Sequence, residues 1–162
     1  MEIYILRHGI AEDGRAGEPD SDRALTPEGR RKLRAVLKTA AAAGVAPSLI
    51  LTSPYKRALQ TAQIAAEVLE YKLDLIRTRA LEPNSTPEAV WKELKVHRDE
   101  LSILLAGHEP LFSGLTAYLL NAPSLQIEFK KGGLVCVEMD HFGAEPRGVL
   151  KWYLIPKLAA SI

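Results

Sequence analysis

The sequence predicts a three-layer α/β/α sandwich: a mostly parallel central sheet, helices on both faces, and an antiparallel strand pair at the C-terminal end. Three observations carry this prediction. Short apolar runs alternate with longer stretches of helical pattern from the N-terminus as far as "EPLFSGLTAYLLN". The apolar runs are nearly continuous, as in strands buried on both faces. The last two runs, "GGLVCVEMD" and "VLKWYLIP", are joined by a turn through "HFGAEPRG" with no helix between them. At 162 residues, with a hydrophobic fraction of 47% and a charged fraction of 25%, the chain is expected to form one domain over residues 1–162 with its own core.

Each element has a local reason. Residues 2–7 read as the first strand, followed by a polar loop, "EDGRAGEPDSDRA". In "LTPEGRRKLRAVLKTAAAAG", Thr26 is placed to cap a helix, Pro27 suits its first position and Gly44 ends it. "PSLILTS" is the second strand. Ser53-Pro54 repeats the cap-and-proline signal and opens a helix through about Leu69. A short strand near "LDLI" precedes a third such pair, Thr86-Pro87, which starts a helix towards Val96. "LSILLAG" is the next strand and "EPLFSGLTAYLLN" the next helix. Trp91 with Leu94, and Leu111, Leu115 and Leu119, read as core-facing stripes at helical spacing.

Charge and cysteine content narrow the function. With 21 Lys+Arg against 20 Asp+Glu, a formal net charge of +1 gives no general attraction for nucleic acid or an anionic membrane. The single cysteine, Cys136, allows no internal disulfide and no cysteine-based zinc site, and it reads as an inert buried thiol. There is no leader-like N-terminal segment and no apolar run long enough to cross a bilayer, so a cytoplasmic location is expected.

The polar residues gather at strand ends. In open α/β sheets, ligands bind beyond the carboxyl ends of the parallel strands. The first strand ends in Arg7-His8-Gly9, the second in Thr52-Ser53-Pro54 with Arg57 one turn on, and the "LSILLAG" strand runs into His108-Glu109. Two arginines and two histidines therefore converge on one edge. An arginine fork matches two phosphate oxygens at once and stays charged, while one histidine can act as nucleophile or base and the other as donor. Such a set points to a phosphoryl group. A metal between His8 and His108 would have only Glu109 and Glu82 as carboxylate companions and two arginines to repel it, so no metal is expected. His97 and His141 read as structural.

Taken together, "LRHG", "LTPEG", "SPYKRALQTA" and "GHEP", in that order, resemble the histidine phosphatase superfamily across nearly the whole chain. The short length, "RHGIA" and "LEPNSTP" make the chain most similar to the bacterial phosphohistidine phosphatases of the SixA type. That resemblance implies that His8 is the nucleophile and passes through a phosphohistidine intermediate. It implies too that Arg7, Arg57 and His108 hold the three non-bridging oxygens, with no metal or organic cofactor. The implied partner is a phosphorylated protein, such as a histidine phosphotransfer domain in a signalling relay.

One departure matters. Family members acting on sugar phosphates carry a glutamate acid in a longer insertion followed by glycines. Here the segment between Gln60 and His108 is short and "LEPN" lacks the glycines, so Glu82 is the sole candidate general acid. Without an acid, a phosphohistidine N–P bond fits best, because imidazole leaves more readily than an alkoxide. The competing readings are a small-molecule phosphomonoester phosphatase and a non-catalytic phosphate-binding module. Residues 12–23 read as a lid, a docking surface or a disordered loop. Glu109 reads as raising the basicity of His108, repelling acidic substrates or pointing away.

Overall fold

A computed structural model describes residues 1–161. Its centre is a six-stranded sheet of β1 (Glu2–Arg7), β2 (Leu49–Thr52), β3 (Ile76–Arg77), β4 (Ser102–Gly107), β5 (Leu134–Glu138) and β6 (Val149–Leu154). The spatial order is β3-β2-β4-β1-β5-β6. Neighbours from β3 through β1 are parallel, while β5 is antiparallel to both β1 and β6. The predicted antiparallel pair is thus present. It lies directly against the first strand, with a register shift between Cys136 and Val137.

Alternation along each strand feeds two separate cores. Ile3 and Ile5 of β1, with Ile103 and Leu105 of β4, pack under α3 (Pro87–Val96) and α4 (Leu111–Leu119). Trp91, Leu94, Leu111, Leu115 and Leu119 fill that side, as their spacing predicts. Tyr4, Leu6, Leu104 and Ala106 face the opposite layer, built from α1 (Pro27–Ala42), α2 (Lys56–Val68) and the short α5 (Pro156–Ala159). Such two-faced burial explains why these strands read as continuous apolar runs. Cys136 is buried in the second core, and burial pushes its thiol up to about 12, so it is not a nucleophile.

Local chemistry sets the helix starts. Thr26 Oγ1 accepts the Gly29 N–H at 2.9 Å, and Thr86 Oγ1 accepts the Ala89 N–H at 3.2 Å. Gly44 follows α1 at φ +89°, a left-handed turn that glycine adopts without a Cβ clash. The Ser53-Pro54 cap reading needs correction. Helix α2 starts two residues later than Ser53-Pro54 predicts, and its cap position, Tyr55, has no side-chain cap bond. The Ser53 hydroxyl instead bonds to His108, a contact that no local pattern encodes. The four-residue helix α5 was also not anticipated; with so few residues it has no periodicity to read.

The "LTPEG" segment binds the loop that follows β1. Ile10 O accepts both the Thr26 N–H at 2.9 Å and the Thr26 hydroxyl at 3.2 Å. Gly29 lies so close that a Cβ there would sit 2.3 Å from Ile10 O and 2.9 Å from Ile10 N. The first turn of α1 is therefore pressed onto backbone, which cannot move aside as a side chain can. We predict that Gly29→Ala lowers stability by about 1–3 kcal/mol in urea denaturation, the usual cost of forcing extra volume into a packed site. It should also reduce activity, because the displaced backbone is two residues from His8.

Candidate active site

The register of β1 against β4 assembles the site. Arg7 pairs with Gly107 across the parallel ladder, so the next residue on each strand is a histidine. The His8 N–H donates to Gly107 O at 2.9 Å, and the two imidazole centroids lie 5.2 Å apart. Gly107 leaves room for other groups behind the pair: a Cβ there would meet the Phe112 ring at 2.7 Å and Leu81 O at 3.3 Å. Strand β2 contributes Ser53, and α2 contributes Arg57, both buried.

His8 is oriented by its own backbone. Its Nδ1 lies 2.7 Å from Gly9 O. A carbonyl can only accept, so Nδ1 carries the proton and the lone pair resides on Nε2. The ring is buried at 7% exposure, and burial lowers its pKa from 6.5 to about 4, with Arg57, Arg7 and Lys131 adding to the depression. His8 is therefore neutral, with a free lone pair, at physiological pH.

His108 is held differently. Its Nε2 lies 2.8 Å from Ser53 Oγ, which also accepts the Tyr55 N–H at 3.2 Å. The hydroxyl hydrogen of Ser53 is satisfied when it donates to Nε2, and that places the imidazole proton on Nδ1. His108 Nδ1 is buried without a hydrogen-bond partner. Burial, reinforced by His8 and Arg57, brings the His108 pKa down to about 3. The Tyr55 ring stands edge-on to His108 at 5.2 Å and lies under the Arg57 guanidinium, also at 5.2 Å.

The two arginines are fixed as well. Arg7 donates from Nη1 to Phe129 O, and its Nε is a second buried donor without a partner. Arg57 Nη1 donates to Asp20 O at 2.9 Å and Nη2 to Asp20 Oδ2 at 3.1 Å. A buried polar group with no partner costs about 1–3 kcal/mol, so unpartnered donors on Arg7 and His108 in one place mark a site built for an acceptor-rich anion. Beside Arg7 a groove of about 620 Å³ opens among Lys130, Lys131, Lys157 and Phe129. Among the described residues no three His, Cys, Asp or Glu residues gather as a metal would require.

Four of the five residues singled out in the sequence come together: Arg7, His8, Arg57 and His108. The fifth, Glu82, follows a 3₁₀ turn whose Leu81 carbonyl packs against Gly107. Its carboxylate pairs with Arg79 at 3.5 Å and makes no hydrogen bond to His8, His108, Arg7 or Arg57. Glu109 turns onto α4, where its Oε1 accepts the Ser113 N–H at 2.5 Å, and its charge bears on Arg7. Sequence reasoning missed Ser53 as the support of His108, and Asp20 and the Phe129 carbonyl as partners of the arginines. Only Ser53 had a local signal, and that signal pointed to a helix cap.

Comparison with known proteins gives the family and the fold. The family model of the histidine phosphatase superfamily (branch 1) matches residues 3–82. An uncharacterized protein of Picosynechococcus sp. is 31% identical over 137 residues, which is 83% of either chain. The solved structure of the protein histidine phosphatase SixA complexed with tungstate is similar at a TM-score of 0.85 and 25% identity, covering 98% of this chain and 99% of that one. A phosphoserine phosphatase of Entamoeba histolytica shares the fold at a TM-score of 0.71 and 15% identity, over 94% of this chain and 95% of that one. The chain belongs to the histidine phosphatase superfamily. Family and fold together define a hydrolase of phosphoryl groups with a SixA-like architecture.

Two measurements follow. Because the folded pKa values of His8 and His108 lie below the unfolded value of 6.5, protons favour the unfolded chain. Stability is therefore full above about pH 6.5 and falls towards pH 4, by about 1.4 kcal/mol per pH unit for each histidine. Urea midpoints measured at pH 7, 5.5 and 4.5 should show this decline, and His8→Gln should flatten it. Ser53→Ala removes the partner of His108 Nε2 and should lower stability by about 1–3 kcal/mol, with a parallel loss of turnover.

Proposed function

We propose that the protein removes the phosphoryl group from phosphohistidine on a signalling protein, such as a histidine phosphotransfer domain, through a covalent intermediate on His8. The observation that carries the reading is the fixed tautomer of His8, with Nδ1–H held by Gly9 O and Nε2 free. It stands beside two buried donors without partners, Arg7 Nε and His108 Nδ1.

In the first step Nε2 of His8 forms a bond to phosphorus while the phosphorus–nitrogen bond of the substrate breaks. The departing imidazole takes that electron pair, and it leaves as a neutral ring when its other nitrogen carries a proton. Arg7, Arg57 and His108 hold the three non-bridging oxygens as charge redistributes through a loose transition state. Water then attacks the phosphoryl group on His8, its proton passes to the phosphate formed, and His8 recovers its lone pair. His8 is neutral well below pH 7, so protonation of the nucleophile does not limit the first step under ordinary conditions.

Two features favour a protein-borne phosphohistidine over an ester. Glu82 pairs with Arg79 and makes no hydrogen bond to the histidines or arginines of the site, so it is not held as an acid for an alkoxide. The groove beside Arg7 is lined by Lys32, Lys131 and Lys157 as well as by Lys130, which pairs with Glu128, and this excess of positive charge suits an acidic protein partner. Among the described residues no helix is long and apolar enough to cross a membrane.

The test is phosphate release from a phosphohistidine-bearing protein, a phosphoserine peptide and a sugar phosphate. We predict turnover of the first alone and its abolition in His8→Ala. Glu82→Gln should change the rate by less than about tenfold, whereas loss of a true general acid lowers it by roughly a hundredfold or more. Fast hydrolysis of the esters with a large Glu82→Gln effect would assign the protein to the small-molecule phosphatases. Tight phosphate binding without release from any substrate would make it a binding module.

A further inference from the structure

The loop after β1 reaches across the site and ends on Arg57. Residues 12–23 are folded: the Glu12 N–H donates to Ala24 O at 2.8 Å, and Ala11 and Leu25 form an antiparallel bridge. Arg23 Nε donates to Glu12 O at 2.8 Å. The Leu25 N–H donates to Gln60 Oε1 at 2.8 Å, which ties the loop to the helix carrying Arg57. Between these anchors a 3₁₀ turn, Asp20–Asp22, presents Asp20 to the site.

Asp20 bridges the two basic side chains. One carboxylate oxygen accepts from Arg23 Nη1 at 2.9 Å and the other from Arg57 Nη2 at 3.1 Å, while the backbone carbonyl takes Arg57 Nη1. Arg57 is 6% exposed, so its guanidinium has little water to orient it. A guanidinium has five N–H donors, and Asp20 takes one from each terminal nitrogen, leaving three for a ligand. The Tyr55 ring lies against the same guanidinium.

We propose that Asp20 is the positioning residue for Arg57: the loop carries a carboxylate that fixes the guanidinium so that its remaining donors meet the phosphoryl oxygens. The proposal rests on the reading of Arg57 as a phosphate ligand given above. Its sign is distinctive. A carboxylate near an anion site repels the anion, so removing one that acts only through its charge tightens binding. Removing a carboxylate that orients the arginine weakens binding instead.

The experiment is a double-mutant cycle read by inorganic phosphate. Its affinity is measured by calorimetry for the wild type, Asp20→Ala, Arg57→Ala and the double variant, with turnover and circular dichroism recorded for each. Asp20→Asn and Arg57→Lys stand in if an alanine variant fails to fold. The expected result is a roughly tenfold weakening in Asp20→Ala, in the range of one lost charge-assisted hydrogen bond, and no further change when Asp20→Ala is added to Arg57→Ala. Asp22→Asn, in the same turn but without an Arg57 contact, should leave affinity unchanged. Equal or tighter binding in Asp20→Ala overturns the proposal, as does an equal weakening in both Arg57 backgrounds. If Arg57→Ala itself leaves phosphate affinity unchanged, the phosphate-ligand reading of Arg57 fails first and the proposal falls with it.

Discussion

Parallel pairing of β1 with β4 is the constraint on which the site depends. Both strands lie in the middle of the sheet, and every residue of β4 is buried. Side chains alternate into two different cores, so a slip of one residue would move each apolar side chain to the opposite core and mispair every backbone group. The register is therefore fixed by burial far from the chemistry. Because Arg7 lies opposite Gly107, the same register delivers His8 and His108 side by side where the ladder ends. The glycine at the end of β4 lets the Phe112 ring and the Leu81 carbonyl close in behind the histidine pair.

Burial then decides the charge state. Two cationic guanidiniums and two imidazoles share a desolvated place, and the histidines give way by remaining neutral while the arginines keep their charge. This division suits phosphoryl transfer, because the nucleophile needs a lone pair and the ligands need positive charge. The supports are mostly backbone: Gly9 O for His8, Phe129 O for Arg7 and Asp20 O for Arg57. Backbone acceptors do not titrate, so the aim of His8 and Arg7 is set by the fold and not by pH, while Arg57 adds the Asp20 carboxylate to its backbone support.

Much of this was legible in the sequence because the signals are local. Thr26 and Thr86 cap helices where each Thr-Pro pair predicts, and the apolar runs are strands because two-sided burial leaves no polar alternation. The four residues Arg7, His8, Arg57 and His108 could be grouped because each stands at or just beyond a strand end in a parallel sheet. What could not be read depends on contacts between distant segments. Ser53 reads as a cap because Ser-Pro usually is one, yet 55 residues separate it from the histidine it holds. The Asp20–Arg57 bonds span 37 residues, and nothing in "EDGRAGEPDSDRA" distinguishes Asp20 from Asp13 or Asp22. Placing β5 directly against β1 likewise depends on a chain return that strand patterns do not specify.

The split allegiance of β1 has a consequence for how the molecule loses activity. Ile5 belongs to one hydrophobic layer and Leu6 to the other, and His8 follows two residues later. Loosening either layer withdraws support from one side of the same short strand. The edge that carries His8 therefore cannot survive as an island in a half-melted molecule, and neither layer can melt quietly while that edge stays intact. Inactivation on heating should coincide with the loss of tertiary structure as a single event, which makes residual activity a faithful gauge of the folded fraction.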